Sequence, residues 1–337
     1  MIFSILIPAF KAKFLRECID SILAQTYKDF EIIIVNDASP EDLDSIVSSY
    51  SDSRIKYFKN EKGYGAVNLV GNWNECLKHA SGEFTICMGD DDMLFDYCLE
   101  DYVALIEKYP ELDVYQTQTV EINERSEITG IRHSATEWES VYSLIWHSWN
   151  NRRSILGDYC YRTSSLKEKG GFYNAPVGWH SDYLTAFMAA EKHGIAHIQR
   201  RPGFKLRYSD QHVSSSEYYD QKVKAWCQVE EWYNDFLKKT PEDEVDKLYY
   251  SEMKKIIKHK INYEKCVELR KDLKNHTMHI GFWFFNRHKY NINLRCVLGA
   301  FRNAMLKKRR DFICGILRRC QKCFTLLFRK SAPKVII

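Results

Sequence analysis

Short apolar runs alternate with segments of helical periodicity along the first quarter of the chain. Successive strands that are joined through a helix form right-handed parallel crossovers, so the alternation predicts an α/β fold with a doubly wound, mostly parallel sheet. The strands are predicted at residues 3–7, 30–35, 55–58 and 84–88, and the helices at residues 14–23, 43–47 and 72–79.

Polar or turn-forming residues follow three of the predicted strands. Pro8 ends the first strand, Asp37 follows the second, and the acids Asp90, Asp91 and Asp92 follow the fourth. Doubly wound sheets bind ligands beyond the carboxyl ends of their strands. We therefore expect these residues to share one crevice.

The run of three acids carries the strongest chemical signal. Adjacent carboxylates repel one another, and Mg²⁺ or Mn²⁺, which take hard oxygen ligands, would reverse that cost. Strand-like alternation would point Asp90 and Asp92 the same way. The alternative is a solvated acidic turn that binds nothing.

The pattern is less regular after residue 112. It predicts a strand at 115–120, a helix at 182–190, a strand at 195–198 and a charged helical region at 217–275. This predicts a domain at 1–215 with halves at 1–112 and 113–215, a charged helical segment at 216–279, and a tail at 280–337.

Charge is distributed unevenly along the 337 residues. The formal net charge is +4, but residues 253–337 hold 22 Lys and Arg against 4 Asp and Glu, a net of +18. The remainder therefore has a net of −14. Such a split predicts a globular domain with a basic extension that meets an anionic surface.

The eleven cysteines are scattered, and the N-terminus has no basic region or cleavage site of a secretory signal. We therefore expect reduced thiols and a cytoplasmic location. No apolar run reaches 18 residues, so no membrane-spanning helix is predicted.

Several segments together resemble the inverting glycosyltransferases of family two, which have the GT-A fold, a Rossmann-like nucleotide-sugar domain. The matching segments are Phe3-Ser4-Ile5-Leu6-Ile7-Pro8-Ala9-Phe10, Ser21 to Tyr27 with Phe30 to Ser39, Asn72, Ala80-Ser81-Gly82-Glu83-Phe84, the acid run, Gly170-Gly171-Phe172 and Trp179-His180-Ser181-Asp182-Tyr183. The resemblance covers residues 2 to about 215.

The resemblance implies a donor site and a divalent metal, Mg²⁺ or Mn²⁺. The donor-binding residues it implies are Pro8, Ala9, Phe10, Asp37, Asn72, Asp90 and Asp91. The metal would be held by Asp92 with either Asp90 or Asp91, and His212 would complete its shell. Local roles compete with these: Asp37 suits an Asx-turn or a helix cap, and Asn72 suits a helix cap paired with Glu75.

Asp182 is the general base that the resemblance implies. Inverting transfer needs one carboxylate to take the proton of the acceptor hydroxyl. The alternative is an acid that stabilises the first turn of a helix. Three positions depart from the family pattern: Lys11 replaces the usual Asn, Gly89 precedes the acids where many members have Asp, and Ser181 stands where the family usually has Glu before the base.

The expected activity is sugar transfer from a nucleotide-diphosphate sugar to a saccharide, plausibly a lipid-linked glycan. The tail, 280–337, mixes aromatic and basic residues, and its apolar residues fall near one helical face. A basic amphipathic helix of this kind predicts peripheral binding to the anionic cytoplasmic face of the cell membrane, with no nucleic acid expected. The alternatives are a nucleotidyltransferase with a similar sheet, a non-enzymatic module that binds membranes or nucleic acid, and a tail that packs on the protein itself.

Overall fold

The computed structural model describes residues 1–132, 134–209 and 217–308. The chain divides into two compact units: Met1–Ser216 with Gln228–Ile257, and Glu217–Cys227 with Lys258–Ile337. The charged helical segment expected at 216–279 is thus shared between the two units.

The first unit contains two sheets. Its strands are β1 (Phe3–Ala9), β2 (Phe30–Asn36), β3 (Ile55–Lys59), β4 (Phe84–Cys87), β5 (Met93–Leu94), β6 (Val114–Gln116), β7 (Thr119–Ile122), β8 (Ile128–Ile131), β9 (Trp138–Glu139), β10 (Tyr159–Arg162), β11 (Ile195–His197) and β12 (Phe204–Arg207). The large sheet has the order β3-β2-β1-β4-β10-β6-β11-β9, and the small sheet has the order β5-β12-β7-β8.

Ten α-helices of the described residues are numbered α1 to α10. They are α1 (Leu15–Leu23), α2 (Leu43–Ser48), α3 (Leu69–His79), α4 (Cys98–Lys108), α5 (Val141–Trp149), α6 (Thr163–Glu168), α7 (Ser181–Ala190), α8 (Tyr219–Phe236), α9 (Glu244–Asn275) and α10 (Ile280–Asn286). Residues 294–308 are also helical.

The parallel core of the large sheet confirms the predicted fold class. β1 pairs in parallel with both β2 and β4, and β2 pairs in parallel with β3. Every residue of β2 is buried, as expected for a strand covered by helices on both faces. The burial of these apolar strands against α1, α2 and α4 forms the main core and fixes where the strands end.

Three local predictions differ from the structure. The strand predicted at 115–120 is divided, because the chain leaves the large sheet after Gln116 and enters the small sheet at Thr119. α3 begins at Leu69, so Asn72 lies inside the helix and does not cap it. The helical region predicted at 217–275 consists of two helices, α8 and α9.

The second unit has a core of its own. Trp283, Tyr290 and Val297 pack there with Val223 and Leu269, and the indole nitrogen of Trp283 donates to Asp272 at 2.5 Å. A disulfide joins Cys266 and Cys296 in this unit. The expectation that all cysteines are reduced is wrong for this pair, because the helical backbone brings their two sulfur atoms together.

Five buried cysteines in the described ranges are free thiols: Cys18, Cys76, Cys87, Cys98 and Cys160. Within the described ranges, no helix combines the length and the apolar character that crossing a bilayer requires.

Candidate active site

The residues that were expected to share a crevice follow neighbouring strands at one edge of the large sheet. β1, β2 and β4 are parallel, so Phe10, Asp37 and the acid run all leave the sheet at the same edge. The amide of Asp37 donates to the carbonyl of Ala9 at 2.9 Å, which ties the first two strand ends together. Ala9 is buried, and Phe10 is exposed.

Asp90 fastens the loop after β1 to the loop after β4. Its Oδ2 atom accepts hydrogen bonds from the amides of Phe10 and Lys11, each at 2.7 Å. The ammonium of Lys11 lies 2.6 Å from Oδ2 of Asp91 and 3.5 Å from Oδ1 of Asp90. Lys11, which the sequence marked only as a departure from the family, is therefore the cation nearest to the acids.

Asp92 is held by Arg207, a residue that the sequence analysis missed. The Arg207 side chain is fully buried, its amide donates to Oδ1 of Asp92 at 3.0 Å, and its Nε donates to the carbonyl of Asp91 at 2.8 Å. Its Nη2 reaches Glu17 at 2.8 Å. Arg207 thus fixes the backbone of the acid run, while its guanidinium forms an ion pair with Glu17.

The acid run is buried away from solvent and carries more negative charge than the nearby cations neutralise. Burial raises the pKa of Asp92 well above its ordinary value, and repulsion from Asp91 raises it further. Burial also raises the pKa of Asp90. Burial lowers the pKa of Lys11, but Asp90 and Asp91 raise it more, so it stays above its ordinary value. A nearby cation would favour the charged form of all three acids.

Because Gly89 has no side chain, the carboxylates of Asp91 and Asp92 can approach its Cα closely. A Cβ atom placed on Gly89 would lie 2.9 Å from Oδ1 of Asp91 and 2.9 Å from Oδ2 of Asp92, closer than real Cβ atoms come. These two carboxylate oxygens therefore approach a common point. The donor chemistry fits a hard divalent cation. As the side chains stand, no group of three His, Cys, Asp or Glu among the described residues has the arrangement of a metal site.

Asp37 and Asn72 belong to one buried polar network. The carboxylate of Asp37 accepts from Nδ2 of Asn60 at 3.0 Å and from the amides of Tyr64 and Gly65 at 2.8 and 3.0 Å. Asn60 also donates to Asn72 at 3.0 Å, and Asn72 donates to the carbonyl of Val35 at 3.2 Å. Asp37 therefore organises the loop after β3 at the same sheet edge.

Asp182 lies in the first turn of α7. Burial raises its pKa to about 6, and the amide of Tyr183, which donates to its Oδ1 at 2.9 Å, opposes the rise. Asp182 also raises the pKa of the buried tyrosines Tyr159 and Tyr161 of β10. β10 pairs antiparallel with β4, so its first residue lies beside the end of β4. Asp182 therefore lies near β10, the strand that pairs with β4 in the large sheet.

The backbone before α7 is strained. Val177 and His180 have φ angles of 53° and 64°, a region that costs side-chain-bearing residues of order 1–3 kcal/mol. Such strain clusters at functional sites. His212, expected in the metal shell, lies outside the described residues.

Comparison with known proteins agrees with this geometry. Residues 4–162 match the profile of Glycosyl transferase family 2. The chain spans about a third of the length of the first curated relatives it matches, 34% for each of the first two.

Two relatives have named activities. One is the GalNAc(5)-diNAcBac-PP-undecaprenol beta-1,3-glucosyltransferase of Campylobacter jejuni, which is 41% identical over 99 residues, 28% of this chain and 31% of the relative. The other is the UDP-Glc:alpha-D-GlcNAc-diphosphoundecaprenol beta-1,3-glucosyltransferase WfgD of Escherichia coli, which is 35% identical over 106 residues, 31% of this chain and 41% of the relative.

A solved structure shows the same fold over most of the chain. Residues 1–349 of S. aureus TarS in complex with UDP-GlcNAc superpose with a TM-score of 0.57 at 19% identity, covering 90% of this chain and 79% of that one. The sheet order, the profile match and this superposition agree. The chain therefore has the GT-A fold, and its residues 4–162 are similar to Glycosyl transferase family 2.

Proposed function

We propose that the chain transfers a sugar from a nucleotide-diphosphate sugar to a saccharide hydroxyl, with inversion at the anomeric carbon. One observation carries the proposal. Desolvation raises the pKa of Asp182, a half-buried residue, to about 6, and Asp182 lies near β10, the strand that pairs with β4, which the buried acids Asp90, Asp91 and Asp92 follow. A base of that pKa is largely ionised at neutral pH and is still basic enough to take a proton.

The donor occupies the crevice after β1, β2 and β4. Pro8, Ala9 and Phe10 line the nucleotide pocket, and Asp37 and Asn72 contact the base or the ribose through the network they already form. A carboxylate has about four lone-pair positions, and Asp37 uses three with protein donors, which leaves one for the nucleotide.

Asp91 and Asp92 are the residues that would hold a divalent metal, because their oxygens meet above Gly89. Asp90 instead holds the loop after β1 in place, since the amides of Phe10 and Lys11 already donate to its Oδ2 atom. A bound Mg²⁺ or Mn²⁺ would offset negative charge on the departing diphosphate.

Asp182 accepts the proton of the acceptor hydroxyl. The hydroxyl oxygen attacks the anomeric carbon on the side opposite the diphosphate, the bond to the diphosphate breaks, and the proton stays on Asp182. A single displacement of this kind inverts the anomeric carbon. Lys11 provides positive charge beside the acids at the donor end of the crevice.

Replacing Gly89 with Ala should weaken metal binding without removing a carboxylate. The new methyl group would come within 2.9 Å of oxygens on both Asp91 and Asp92, so their side chains must move apart. Isothermal titration with Mn²⁺ should show at least about a tenfold loss of affinity, in the range that misplacing the surroundings of a metal site produces. Gly281→Ala, whose Cβ would meet nothing within 4 Å, is the matched control. Equal Mn²⁺ affinity in both variants would contradict the assigned pair.

A screen of nucleotide sugars tests the activity itself. The protein is incubated with Mn²⁺ and single sugar donors, beginning with UDP-glucose and UDP-N-acetylglucosamine, and the release of nucleoside diphosphate is measured. Release from one donor and none from the others supports sugar transfer.

Lys11 gives a specific reason to consider nucleotidyl transfer, because such an enzyme needs a cation near the phosphates. The same screen includes nucleoside triphosphates with sugar phosphates. Pyrophosphate release would establish nucleotidyl transfer and would overturn the proposal.

The acceptor is proposed to be a lipid-linked glycan at the cytoplasmic face of the membrane. Both named relatives act on undecaprenol-linked saccharides. The second unit carries exposed aromatic side chains on α10, with Phe285 79% exposed, and residues 280–308 contain six Lys and Arg and no Asp or Glu. Exposed aromatic and basic groups together suit an anionic membrane interface. The rest of the expected tail, 309–337, lies outside the described residues.

Replacing Phe284 and Phe285 with Ser should weaken binding to phosphatidylglycerol vesicles. Burying a Phe side chain contributes about 1.5–3 kcal/mol, so each replacement should lower the partition coefficient roughly tenfold in a sedimentation assay. Point variants are preferred to deletion of the tail, because Trp283, Tyr290 and Val297 belong to the core of the second unit. Leu248→Ser, at a residue 68% exposed on α9, is the control. A wild-type protein that stays in the supernatant at low salt would refute the membrane proposal.

A further inference from the structure

A wide groove is lined by β9, by α5 and by the first turns of α9, all within the first unit. β9 is the edge strand of the large sheet opposite β3. The groove has a volume of about 1180 Å³, larger than the roughly 300–1,000 Å³ of most small-molecule pockets. Neither Asp182 nor the acid run lines it. The groove therefore has room for a ligand of several linked units.

Trp138 gives the groove a fixed aromatic surface. Its indole nitrogen donates to the carbonyl of His193 at 3.1 Å. Its ring packs on Gly194, where an added Cβ atom would lie only 3.0 Å from a ring carbon. The residue is nevertheless 47% exposed. The protein thus holds one side of the ring in place and leaves the other side to a ligand, as is common where Trp lies at a binding surface.

Amide side chains line the groove in positions that the backbone holds. Nε2 of Gln199 donates to the carbonyl of Ala135 at 2.8 Å. Nδ2 of Asn150 donates to the carbonyl of Trp146 at 2.7 Å. A carboxamide that is anchored through its nitrogen presents its oxygen as an acceptor. Asn151, which is exposed beside Asn150, adds a third amide to the lining.

The charges of the groove disfavour an anion. The lining contains one arginine, Arg152, and three acids, Glu139, Asp243 and Asp246, so its formal net charge is 1 − 3 = −2 with His147 neutral. Arg152 forms an ion pair with Glu139 at 2.5 Å, which leaves the two aspartates to set the local charge. Carboxylate oxygens accept hydrogen bonds from hydroxyl groups and repel a phosphate or a uronate. The lining therefore suits a ligand that is neutral and rich in hydroxyl groups.

A pyranose ring combines the two surfaces that this lining would contact. Its C–H bonds form apolar faces, which can pack on the flat ring of Trp138 and remove apolar area from water. Its hydroxyl groups project around the rim of the ring, where amide and carboxylate oxygens can accept from them. An aromatic surface surrounded by acceptors therefore indicates a neutral saccharide.

One end of the groove lies close to the helix that carries the proposed base. Arg152 lines the groove, and the Cα atom of Ser154, two residues later, is at most about 7 Å from that of Arg152. The amide of Ser154 donates to the hydroxyl of Tyr183 at 3.1 Å, and Tyr183 follows Asp182 in α7. A chain of sugars held in the groove can therefore extend toward α7.

We propose that this groove binds the part of a neutral oligosaccharide acceptor that lies away from the reacting hydroxyl. The inference rests on the proposed sugar transfer and adds a second region of contact to it. One sugar unit packs on Trp138, and its neighbours donate hydrogen bonds to the amides and carboxylates of the lining. Affinity for the acceptor then depends on the number of its sugar units.

Binding of neutral hexasaccharides to the full-length protein tests the groove directly. The probes are maltohexaose, laminarihexaose and chitohexaose, and affinity is measured by isothermal titration without donor or metal. At least one of them should bind, and more tightly than its monosaccharide. Trp138→Ala should weaken that binding about tenfold or more, the effect of losing contact with a large apolar side chain. Trp138→Phe keeps an aromatic ring and should lose less.

Two further variants separate contact from folding. Asn151 has a φ angle of 73°, which glycine adopts without strain, so Asn151→Gly should remove an amide from the lining, keep the fold and weaken binding. Tyr263→Ala removes a residue that is 54% exposed and does not line the groove, so it should bind as the wild type does. Equal losses in Trp138→Ala and Tyr263→Ala would overturn the site. A wild-type protein that binds none of the hexasaccharides also overturns it.

Charged probes test the kind of ligand. A hexamer of galacturonic acid should bind more weakly than the neutral hexasaccharides, because the lining has a net negative charge. Tighter binding of the acidic hexamer would contradict a neutral ligand. A lysine hexapeptide that binds more tightly than every saccharide, and loses its affinity in Trp138→Ala, would overturn the saccharide and identify a cationic peptide as the ligand.

Kinetics connect the groove to sugar transfer. Trp138→Ala should raise KM about tenfold for a hexasaccharide acceptor and leave kcat, KM for a single-sugar acceptor and donor hydrolysis unchanged. An unchanged KM for the hexasaccharide would overturn the acceptor role. Donor hydrolysis by a protein that binds no hexasaccharide would refute the groove alone. Trp138-dependent saccharide binding, with no nucleotide sugar turned over, would refute sugar transfer and leave the groove as a saccharide site.

Discussion

Replacing Asp182 with Asn is expected to lower the rate of sugar transfer by about 10²–10⁴-fold, the usual contribution of a general base. The amide side chain keeps the size of the carboxyl group and can still accept the hydrogen bond from the amide of Tyr183, so α7 should begin as before. It cannot take the proton from the acceptor hydroxyl. Affinity for the nucleotide diphosphate, measured by isothermal titration with Mn²⁺, should stay within about twofold of the wild type.

The pH profile of kcat provides a second measurement on the same group. Burial raises the pKa of Asp182 to about 6, and only the ionised form accepts a proton. The wild-type rate should therefore rise with pH through about 6 and level off above it, and the Asn variant should lack this rising limb. Asp235→Asn, an exposed acid on α8, should retain both the rate and the profile. A loss of nucleotide affinity that equals the loss of rate would indicate that Asp182 has only a structural role.

The sequence was sufficient to predict the N-terminal half of the fold. β1, β2 and β4 are short, mostly apolar and buried, and polar residues such as Asp37 follow them, although β1 continues through Pro8, where it was predicted to end, to Ala9. These local signals fix the strand ends, and parallel pairing then brings the strand ends to one edge. The grouping of Phe10, Lys11 and the acid run follows from this topology without any knowledge of side-chain contacts.

The remaining features depend on pairings between distant segments. Arg207 lies 115 residues from Asp92 along the chain, and β12 brings it there by pairing with β5. Nothing local distinguishes Arg207 from the many other basic residues of the sequence.

The position of Asn72 shows how a local signal can mislead. An Asn three residues before a Glu suits the start of a helix, yet α3 already begins at Leu69. The apolar contacts of Val70 and Trp73 extend the helix toward its N-terminus. Asn72 is thereby turned inward to Asn60 and Val35, and tertiary packing overrides the capping preference.

The second large effect is expected at Asp92. Asp92→Ala should lower transfer by at least about 10²–10³-fold, because one of the two carboxylates assigned to the metal is lost and charge on the leaving diphosphate is no longer offset. A readout that does not depend on turnover is the affinity for the nucleotide diphosphate. Wild-type protein should bind it more tightly with Mn²⁺ than with EDTA, and in the variant the two affinities should be equal.

The structural effect of Asp92→Ala must be separated from the loss of a carboxylate that binds the metal. Asp92 accepts the amide of Arg207 at 3.0 Å, so Asp92→Ala also leaves a buried donor unsatisfied, at a cost of about 1–3 kcal/mol. Asp92→Asn retains an oxygen for that amide and removes only the charge. If the metal assignment is right, the Asn variant should be as stable as the wild type in thermal unfolding and should still lose the Mn²⁺ dependence of nucleotide binding.

The exposed acid Asp96, four residues further along, provides the control. Asp96→Ala should retain activity, stability and the Mn²⁺ dependence, since the carboxylate that it removes faces solvent. The Asn and Ala variants at position 92 then give a clear decision. Loss of activity only in Asp92→Ala, together with lower stability, would make Asp92 a structural partner of Arg207 and refute its role as a ligand. Loss of the Mn²⁺ dependence in both variants, and not in Asp96→Ala, would establish that the charge of Asp92 itself binds the metal.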